Sequence, residues 1–355
     1  MRHYQKPPLS LAEQIQKLKH RSLVINDDAL ATSCLSTIGF YRLSAYFIPF
    51  EDKNNTVVQH AFLPGTTFDQ ILFLYVFDRR LRLLILEALE RIEVAVRTSW
   101  TNALTTSTGD SHAYMKSEYF KNPHEHLKHL NRVTSDVLDS KEKFVSSYRK
   151  KYVKPFLPPT WAVAETLSFG GLSLWYSNTQ NNHVKKQVSD SFNIPTVELM
   201  EGVLEALTVL RNICAHHARC WNREYVKRLP LLKRLRNTLA INTVETSHKD
   251  YLRSLGNVLG KIKDAPEVDN LMDAIRRGEV TIPTQTVTQM DNRLYNHLVV
   301  ISHMMKAIQP TTGWQTRLVS EILTLTPRQQ MAMGFPDHWQ TMPFWEGALQ
   351  QAQSG

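Results

Sequence analysis

The stretch FDQILFLYVFDRRLRLLILEALERIEVAVRTSWTNAL, residues 68–104, carries the longest periodic pattern of apolar residues in the chain. The apolar positions recur about every 3.6 residues, which is typical of an amphipathic α-helix. Thr66 or Thr67, just before the pattern, offers a side-chain oxygen that can cap the N-terminus of a helix. The stretch therefore predicts one long helix. Because few other segments alternate strictly between apolar and polar residues, the predicted fold class is mainly α.

Outside this helix, the sequence predicts further helical segments of various lengths. A second long helix is expected from Thr196 to about Arg219, and a short one near Leu9 to His20. The segment 38–55 is typical of a helix end, a short strand pair, or both. Residues 154–178 predict two short helices broken at Gly170 and Gly171. Later helices are expected over 248–262, 292–308 and 311–324, and residues 280–289 are interpreted as a linker.

The composition is that of a globular protein with an excess of positive charge. The 355 residues are 42% hydrophobic and 21% charged, which is enough for a sizeable core in one large domain or two smaller ones. Forty-two Lys and Arg residues against 33 Asp and Glu give a net charge of +9. Such a balance favours polyanionic partners, either nucleic acid or an anionic membrane.

Three cysteines, at positions 34, 214 and 220, are too few for a disulfide framework or a four-ligand zinc site. We expect reduced thiols. No apolar run long enough for a leader peptide or a membrane span occurs in the sequence. A cytoplasmic protein without a membrane partner is therefore expected.

The segment LRNICAHHARCWNRE, residues 210–224, combines arginines and adjacent histidines in a helical pattern. At 100° per residue, His217 falls on the apolar stripe with Leu210 and Cys214, so we expect it to be a structural residue at the helix end. His216 and Asn212 lie one turn apart on the opposite side, where the amide can orient the imidazole. His216 is therefore the better candidate for a functional histidine, although His217 is also possible.

Arg211 lies about 140° around an ideal helix from His216, so the two side chains diverge. Two solutions remain open at this point. Either the helix distorts near Ala215, or a second copy of the chain supplies the missing half of a site.

An arginine and a histidine can cleave a phosphodiester without a metal ion. An imidazole titrates near neutral pH and can take a proton from a ribose 2′-OH or give one to the leaving oxygen. A guanidinium can bind the phosphate oxygens as negative charge develops. Because DNA lacks the 2′-OH, this pair favours RNA, with no metal or cofactor. The alternative is a polar helix face without catalytic function.

Polar residues on the apolar stripe of the long helix need partners. Asp78 and Arg82 can form an ion pair, and so can Glu93 and Arg97. Alternatively, Glu93 or Arg97 reaches the site and orients Arg211.

Further polar clusters have both structural and functional interpretations. His124, His126 and His129 could hold a metal, although a solvated helix start is favoured. Trp161, Glu165 and Ser168 are expected in the core or an interface, with Glu165 a possible support for the site. The basic residues after the motif are solvated by default, but they are also candidate RNA contacts: Arg219, Arg223, Lys227, Arg228, Lys233 and Arg234.

Arg211, Asn212 and His216 resemble the arginine, polar residue and histidine pattern of the HEPN ribonuclease superfamily. More specifically, five blocks resemble the Abi-like abortive-infection family of the AbiD/AbiF type. They are GFYRLSAYFIPF, FDRRLRLLILEALERIEVAVRT, PPTWAVAETLSFGGLS, LRNICAHHARCWNRE and MGFPDHWQTMPFW. These blocks extend over nearly the whole chain.

The resemblance implies a HEPN-like helical bundle at 68–230, with an N-terminal segment at 1–67 and a C-terminal helical region at 231–355. It also implies antiphage defence by RNA cleavage, a homodimer with a composite site, and a small non-coding RNA as antitoxin. The catalytic roles then fall on Arg211 and His216, and Asn212 has a supporting role. A non-catalytic RNA-binding protein is the alternative function.

Overall fold

The computed structural model describes residue 3 and residues 7–245, 273–274, 277 and 286–354. In the described residues the chain is mainly helical, as predicted. The predicted helix over 248–262 lies outside the described residues.

The N-terminal segment contains α1 (Leu11–His20), α2 (Asp28–Thr37) and α3 (Phe40–Ser44), followed by a 3₁₀ turn at Ile48–Phe50. The strand pair considered for this region is limited to an isolated bridge between Glu51 and Phe62.

The central element is α4 (Phe68–Thr108), the long helix that the sequence predicted. Thr67 caps it, and Gln70 returns a hydrogen bond to the Thr67 backbone, so both halves of a capping box are present. The helix ends at Gly109, which has the positive φ of 64° that favours glycine. Helices from both ends of the chain pack on α4 because its apolar side chains are buried along most of its length.

The middle of the chain forms α5 (Pro123–Asp139), α6 (Lys143–Lys151), α7 (Thr160–Val163), α8 (Phe169–Asn178), α9 (Asn182–Ser191) and α10 (Val197–Ala215). The predicted break at Gly170 and Gly171 is wrong, because both glycines lie inside α8. A Cβ on Gly170 would stand 3.2 Å from Cγ2 of Thr208, so the glycine allows α8 to approach α10 closely. The break falls instead at Leu167 and Ser168, where Ser168 caps α8.

The C-terminal part contains β1 (Ile241–Glu245), β2 (Thr286–Met290), α11 (Leu294–Ile308), α12 (Trp314–Leu323), α13 (Pro327–Ala332) and α14 (Pro343–Ser354). The two strands pair antiparallel, with Ile241 opposite Met290. Part of the predicted linker is therefore a strand, and residues 280–285 lie outside the described residues. Helices α11 and α12 pack on α4. The domain boundaries at 67/68 and 230/231 stay a prediction.

His297 in α11 is a buried histidine whose titration should affect stability. Its Nδ1 lies 3.4 Å from the carbonyl oxygen of Arg293, and its Nε2 has no hydrogen-bond partner among the described residues. The ring packs against Tyr225, which follows the Arg and His motif, at 4.6 Å between centroids. Burial lowers the pKa of His297 to about 4.

We expect acid to destabilise the protein through His297. An unfolded histidine takes up a proton near pH 6.5. The folded one resists protonation down to about pH 4. Between these values the unfolded state binds more protons than the folded state. The free energy of unfolding therefore decreases as the pH is lowered, by up to roughly 3 kcal/mol from this group. Denaturant unfolding at several pH values should show a weaker pH dependence in His297→Leu than in wild type. An unchanged dependence in the variant would contradict this assignment.

Candidate functional site

The motif region is built on the C-terminal end of α10. The helix is regular up to Ala215, and His216 is its C-cap. The amide of His217 donates to the carbonyl of Cys214 at 3.1 Å, and the amide of Ala218 donates to that of Ile213 at 3.0 Å. These two bonds and the positive φ of His217 define a Schellman turn, which ends the helix inside the motif.

The prediction that His217 ends a buried stripe is therefore wrong. Its φ is 57°, in the left-handed region that favours glycine, and the residue is exposed. Its carbonyl oxygen accepts a hydrogen bond of 2.7 Å from Nη1 of Arg42 in α3. What His217 contributes to the fold is thus a backbone contact.

His216 and Asn212 are both exposed near the end of α10. The backbone amide of His216 donates to the Asn212 carbonyl at 2.9 Å. Among the described residues, the His216 imidazole has no hydrogen-bond partner. Its ring nitrogens are available to an external group, and orientation by the Asn212 side chain remains a prediction.

Arg211 points toward α4, where it meets the predicted supporting residues. Its Nε lies 3.8 Å from Oε2 of Glu93, and its side chain is 35% exposed. The other carboxylate oxygen of Glu93 accepts a hydrogen bond of 2.9 Å from Nη2 of Arg97, which confirms the predicted ion pair. Burial raises the pKa of Glu93, although Arg97 and Arg211 both oppose this. One carboxylate therefore bridges two guanidinium groups.

Arg97 links this site to the turn before α8. Its Nη2 donates to the carbonyl of Leu167 at 3.1 Å, and its Nη1 lies 3.5 Å from Glu165. Glu165 is thus connected to Arg211 through Arg97 and Glu93. Trp161 was expected in the core or an interface, yet its side chain is 52% exposed in this chain.

The sequence left two ways to bring Arg211 and His216 to one site: a distortion of the helix near Ala215, or a second copy of the chain. The position of a C-cap residue is still set by the helix before it, so the Schellman turn redirects only the chain after His216. Because α10 is regular up to Ala215, the helix has no distortion before His216 that would redirect either side chain.

A groove of about 570 Å³ runs along α4 beside Arg211. It combines exposed apolar side chains with several carboxylates. It is lined by Leu83, Leu86, Glu87, Glu90, Glu93, Val94, Arg97 and Arg211. Leu83 is 54% exposed and Val94 is 48% exposed.

A buried hydrogen-bond network fixes the chain that follows His216 and His217. Asp78 on α4 is fully buried and forms the predicted ion pair with Arg82. It also accepts a hydrogen bond of 2.5 Å from the Tyr46 hydroxyl. The amides of Cys220 and Trp221 donate to it at 3.1 and 2.7 Å. The sequence predicted the ion pair but not this anchoring, which depends on a contact 142 residues away.

The candidate RNA-contacting residues are not equally available. Arg219 donates to the carbonyl of Ala45 at 2.8 Å, and Lys227 forms an ion pair with Glu205. Arg223 lies 3.4 Å from the carbonyl of Arg219. Arg228, Lys233 and Arg234 are exposed.

The histidine array at 124, 126 and 129 does not converge on a metal. His126 is buried, stacks on Phe120, and its Nε2 contacts the carbonyl oxygen of Tyr114 at 2.8 Å. The helix start at Pro123 is as predicted, but His126 is not solvated. In the described part of the chain no three His, Cys, Asp or Glu side chains are grouped as metal ligands.

None of the helices that the structure describes is long and apolar enough to cross a bilayer.

Residues 33–222 match the family model of the Abi-like proteins, which covers more than half of the chain. The protein therefore belongs to the Abi-like family, which is associated with abortive infection. The matched region runs from α2 to Asn222 and contains both Arg211 and His216. No curated protein and no solved structure matches the chain.

Proposed function

We propose that the protein is a metal-independent endoribonuclease of the HEPN type that acts in abortive infection. The observation that carries this proposal is the placement of Arg211 and His216 near the end of α10. His216 is exposed and has no hydrogen-bond partner among the described residues. Arg211 is partly exposed and has one carboxylate at 3.8 Å. Both groups can therefore reach an external phosphate.

In the proposed reaction, a ribose 2′-oxygen attacks the adjacent phosphorus and the bond from phosphorus to the 5′-oxygen breaks. An imidazole removes the 2′-OH proton, and an imidazolium protonates the leaving oxygen. Arg211 binds the non-bridging oxygens as their charge increases. The products are a 2′,3′-cyclic phosphate and a 5′-OH end.

Glu93 is proposed to position Arg211. A carboxylate 3.8 Å from the Nε of Arg211 restricts the guanidinium without forming a close hydrogen bond. Arg97 in turn holds Glu93 at 2.9 Å. Residues that orient metal ligands commonly affect activity by tenfold or more, and we expect Glu93 to act on Arg211 to a similar extent.

A homodimer is proposed to complete the site. Each protomer has one such motif, and its Arg211 and His216 diverge on the helix. A second copy would place its own Arg211 and His216 at the same phosphate, so that one site contains two histidines, one acting as base and the other as acid. The α4 groove suits this contact because Leu83 and Val94 are exposed in it and Arg211 lines the same groove.

We expect Leu83→Glu to weaken this dimer strongly, because it replaces an exposed apolar side chain of the groove with a carboxylate, in a groove that already contains Glu87 and Glu90. Sedimentation or light scattering should show a shift toward the monomer, and RNA cleavage should fall in parallel. Val57→Glu, a change at a 90% exposed position outside the groove, is the control. A Leu83→Glu protein with the oligomeric state of wild type would exclude this face as the contact.

The direct test of the proposed activity is incubation of the purified protein with labelled RNA in EDTA. Cleavage should continue under chelation, leave 2′,3′-cyclic phosphate ends, and stop at a position with a single 2′-deoxy substitution. Loss of cleavage with EDTA, or cleavage of the matched DNA, would contradict the proposal.

A small non-coding RNA is proposed as the restraining partner. The net charge of +9 and the exposed Arg228, Lys233 and Arg234 after the motif support an RNA contact. Phosphate contacts weaken steeply with salt. RNA that copurifies at low salt and is released at high salt would fit this proposal, and cleavage should then increase.

The second candidate is an RNA-binding protein without catalysis. The observation in its favour is the carboxylate of Glu93 beside Arg211, which reduces the positive charge available to a phosphate. RNA that copurifies with the protein would favour this function if the protein cleaves no added RNA, either before or after the copurified RNA is removed.

A further inference from the structure

The segment around α3 is fastened to the motif by two reciprocal contacts. Nη1 of Arg42 donates to the carbonyl of His217 at 2.7 Å, and Nη1 of Arg219 donates to the carbonyl of Ala45 at 2.8 Å. Each segment thus provides an arginine to the backbone of the other. The α3 segment and the turn after His216 are therefore held together as one surface.

The same surface is also attached to α4 through the buried carboxylate of Asp78. The Tyr46 hydroxyl, two residues after α3, donates to the buried carboxylate of Asp78 at 2.5 Å. That carboxylate also accepts the amides of Cys220 and Trp221. Both sides of the surface share one buried acceptor on α4, which fixes α3 relative to the motif.

Tyr41 stands on this fixed surface with its side chain 93% exposed. It is the most exposed aromatic residue in the described part of the chain. Its ring forms no ring contact or hydrogen bond with other described residues. The next residue is Arg42, which is exposed and reaches the carbonyl of His217. An exposed aromatic ring without a ring partner thus lies in the same short helix as the arginine that contacts the motif.

This combination is suited to an unpaired nucleobase. Proteins that bind single strands stack bases on aromatic side chains and hold the backbone with cations. A base inside a duplex cannot reach such a ring, so the contact selects single-stranded RNA. A base drawn away from its neighbour also frees the backbone for attack by the 2′-oxygen in line with the leaving group.

We infer that Tyr41 is a base-stacking residue that selects unpaired RNA next to the scissile phosphate, with Arg42 contacting the backbone. This inference rests on the proposed function, because it places the stacked base beside the Arg211 and His216 site.

The test uses a single-stranded RNA that contains 2-aminopurine, whose fluorescence is quenched on stacking. It is bound to the full-length protein carrying His216→Ala, so that no cleavage intervenes. Adding Tyr41→Ala should weaken binding by about five- to 150-fold, the range expected for one stacked base. The quenching should disappear. Tyr41→Phe should keep both the affinity for the single strand and the quenching, and Tyr41→Ala should leave the binding of duplex RNA unchanged.

Tyr152→Ala removes another exposed tyrosine, at the end of α6, and is the matched control. Circular dichroism checks that each variant is folded. Equal affinity and equal quenching in Tyr41→Ala and its parent would overturn the inference, as would absence of any RNA binding. A change of oligomeric state in place of RNA affinity would overturn it as well, because it would make Tyr41 a protein contact.

The two proposals can fail separately. If Tyr41→Ala cleaves the same RNA as fast as the otherwise wild-type protein, the stacking role fails and the nuclease stands. If the wild-type protein cleaves nothing but the quenching depends on Tyr41, the nuclease fails and the base-binding site remains.

Discussion

Arg211→Ala and His216→Ala are each expected to reduce RNA cleavage by about 100-fold or more while leaving the fold intact. Arg211 is partly exposed with one contact at 3.8 Å, and His216 is exposed without a hydrogen-bond partner among the described residues. Their removal therefore disturbs little packing. Cleavage rates on a labelled RNA in EDTA, with thermal unfolding of each variant, measure both effects.

His217→Gly separates the two adjacent histidines. Because His217 has a φ of 57°, glycine fits its backbone better, and we expect stability to rise by up to about 1 kcal/mol. Cleavage should persist, since the contact with Arg42 uses the His217 carbonyl. If His217→Gly abolishes cleavage and His216→Ala does not, the catalytic histidine is His217.

Asp78→Asn is expected to cause the largest loss of stability. The substitution keeps the size of the side chain but removes the charge that compensates the buried Arg82. Breaking a buried ion pair by removing one partner costs about 3–5 kcal/mol. The amides of Cys220 and Trp221 also lose a charged acceptor. The midpoint of thermal unfolding should fall by on the order of 10 °C.

Asp337→Asn, at an exposed position, is the control for Asp78→Asn and should have little effect on stability. Cleavage by the Asp78 variant should also decline below its melting transition, because Asp78 fixes the chain that follows His217. An unfolding midpoint equal to that of wild type would show that the buried network does not stabilise the fold.

The helices that could be predicted from sequence are those whose signals are local. The period of α4 and the capping pair of Thr67 and Gln70 lie within the helix itself, and the predicted start at Phe68 is the observed one. The ion pairs of Asp78 with Arg82 and Glu93 with Arg97 follow from spacing on one helix.

The features that could not be predicted depend on contacts between distant segments. Gly170 lies inside a helix because α10 packs against it, which no local pattern reveals. The strand at Thr286–Met290 needs its partner at Ile241–Glu245. The end of α10 was missed for another reason. Its Schellman turn has a histidine where glycine is usual, so the helical pattern of the sequence runs past the real end.

The contacts among the candidate site residues could be predicted in part. The sequence indicated Arg211 and His216 as candidates and Glu93 as a possible support, and Glu93 does lie 3.8 Å from Arg211. The contact of Arg42 with the motif could not be predicted, because 175 residues separate it from His217.

The measurement that tests the central claim most directly is the cleavage rate of mixed dimers. Wild type and His216→Ala are coexpressed in varied ratios, and the rate is plotted against the fraction of wild-type chain. If paired subunits form one composite site that needs the histidine of both copies, the rate should fall with the square of that fraction. A rate that falls in direct proportion, or a wild-type protein that cleaves no RNA, would contradict the account.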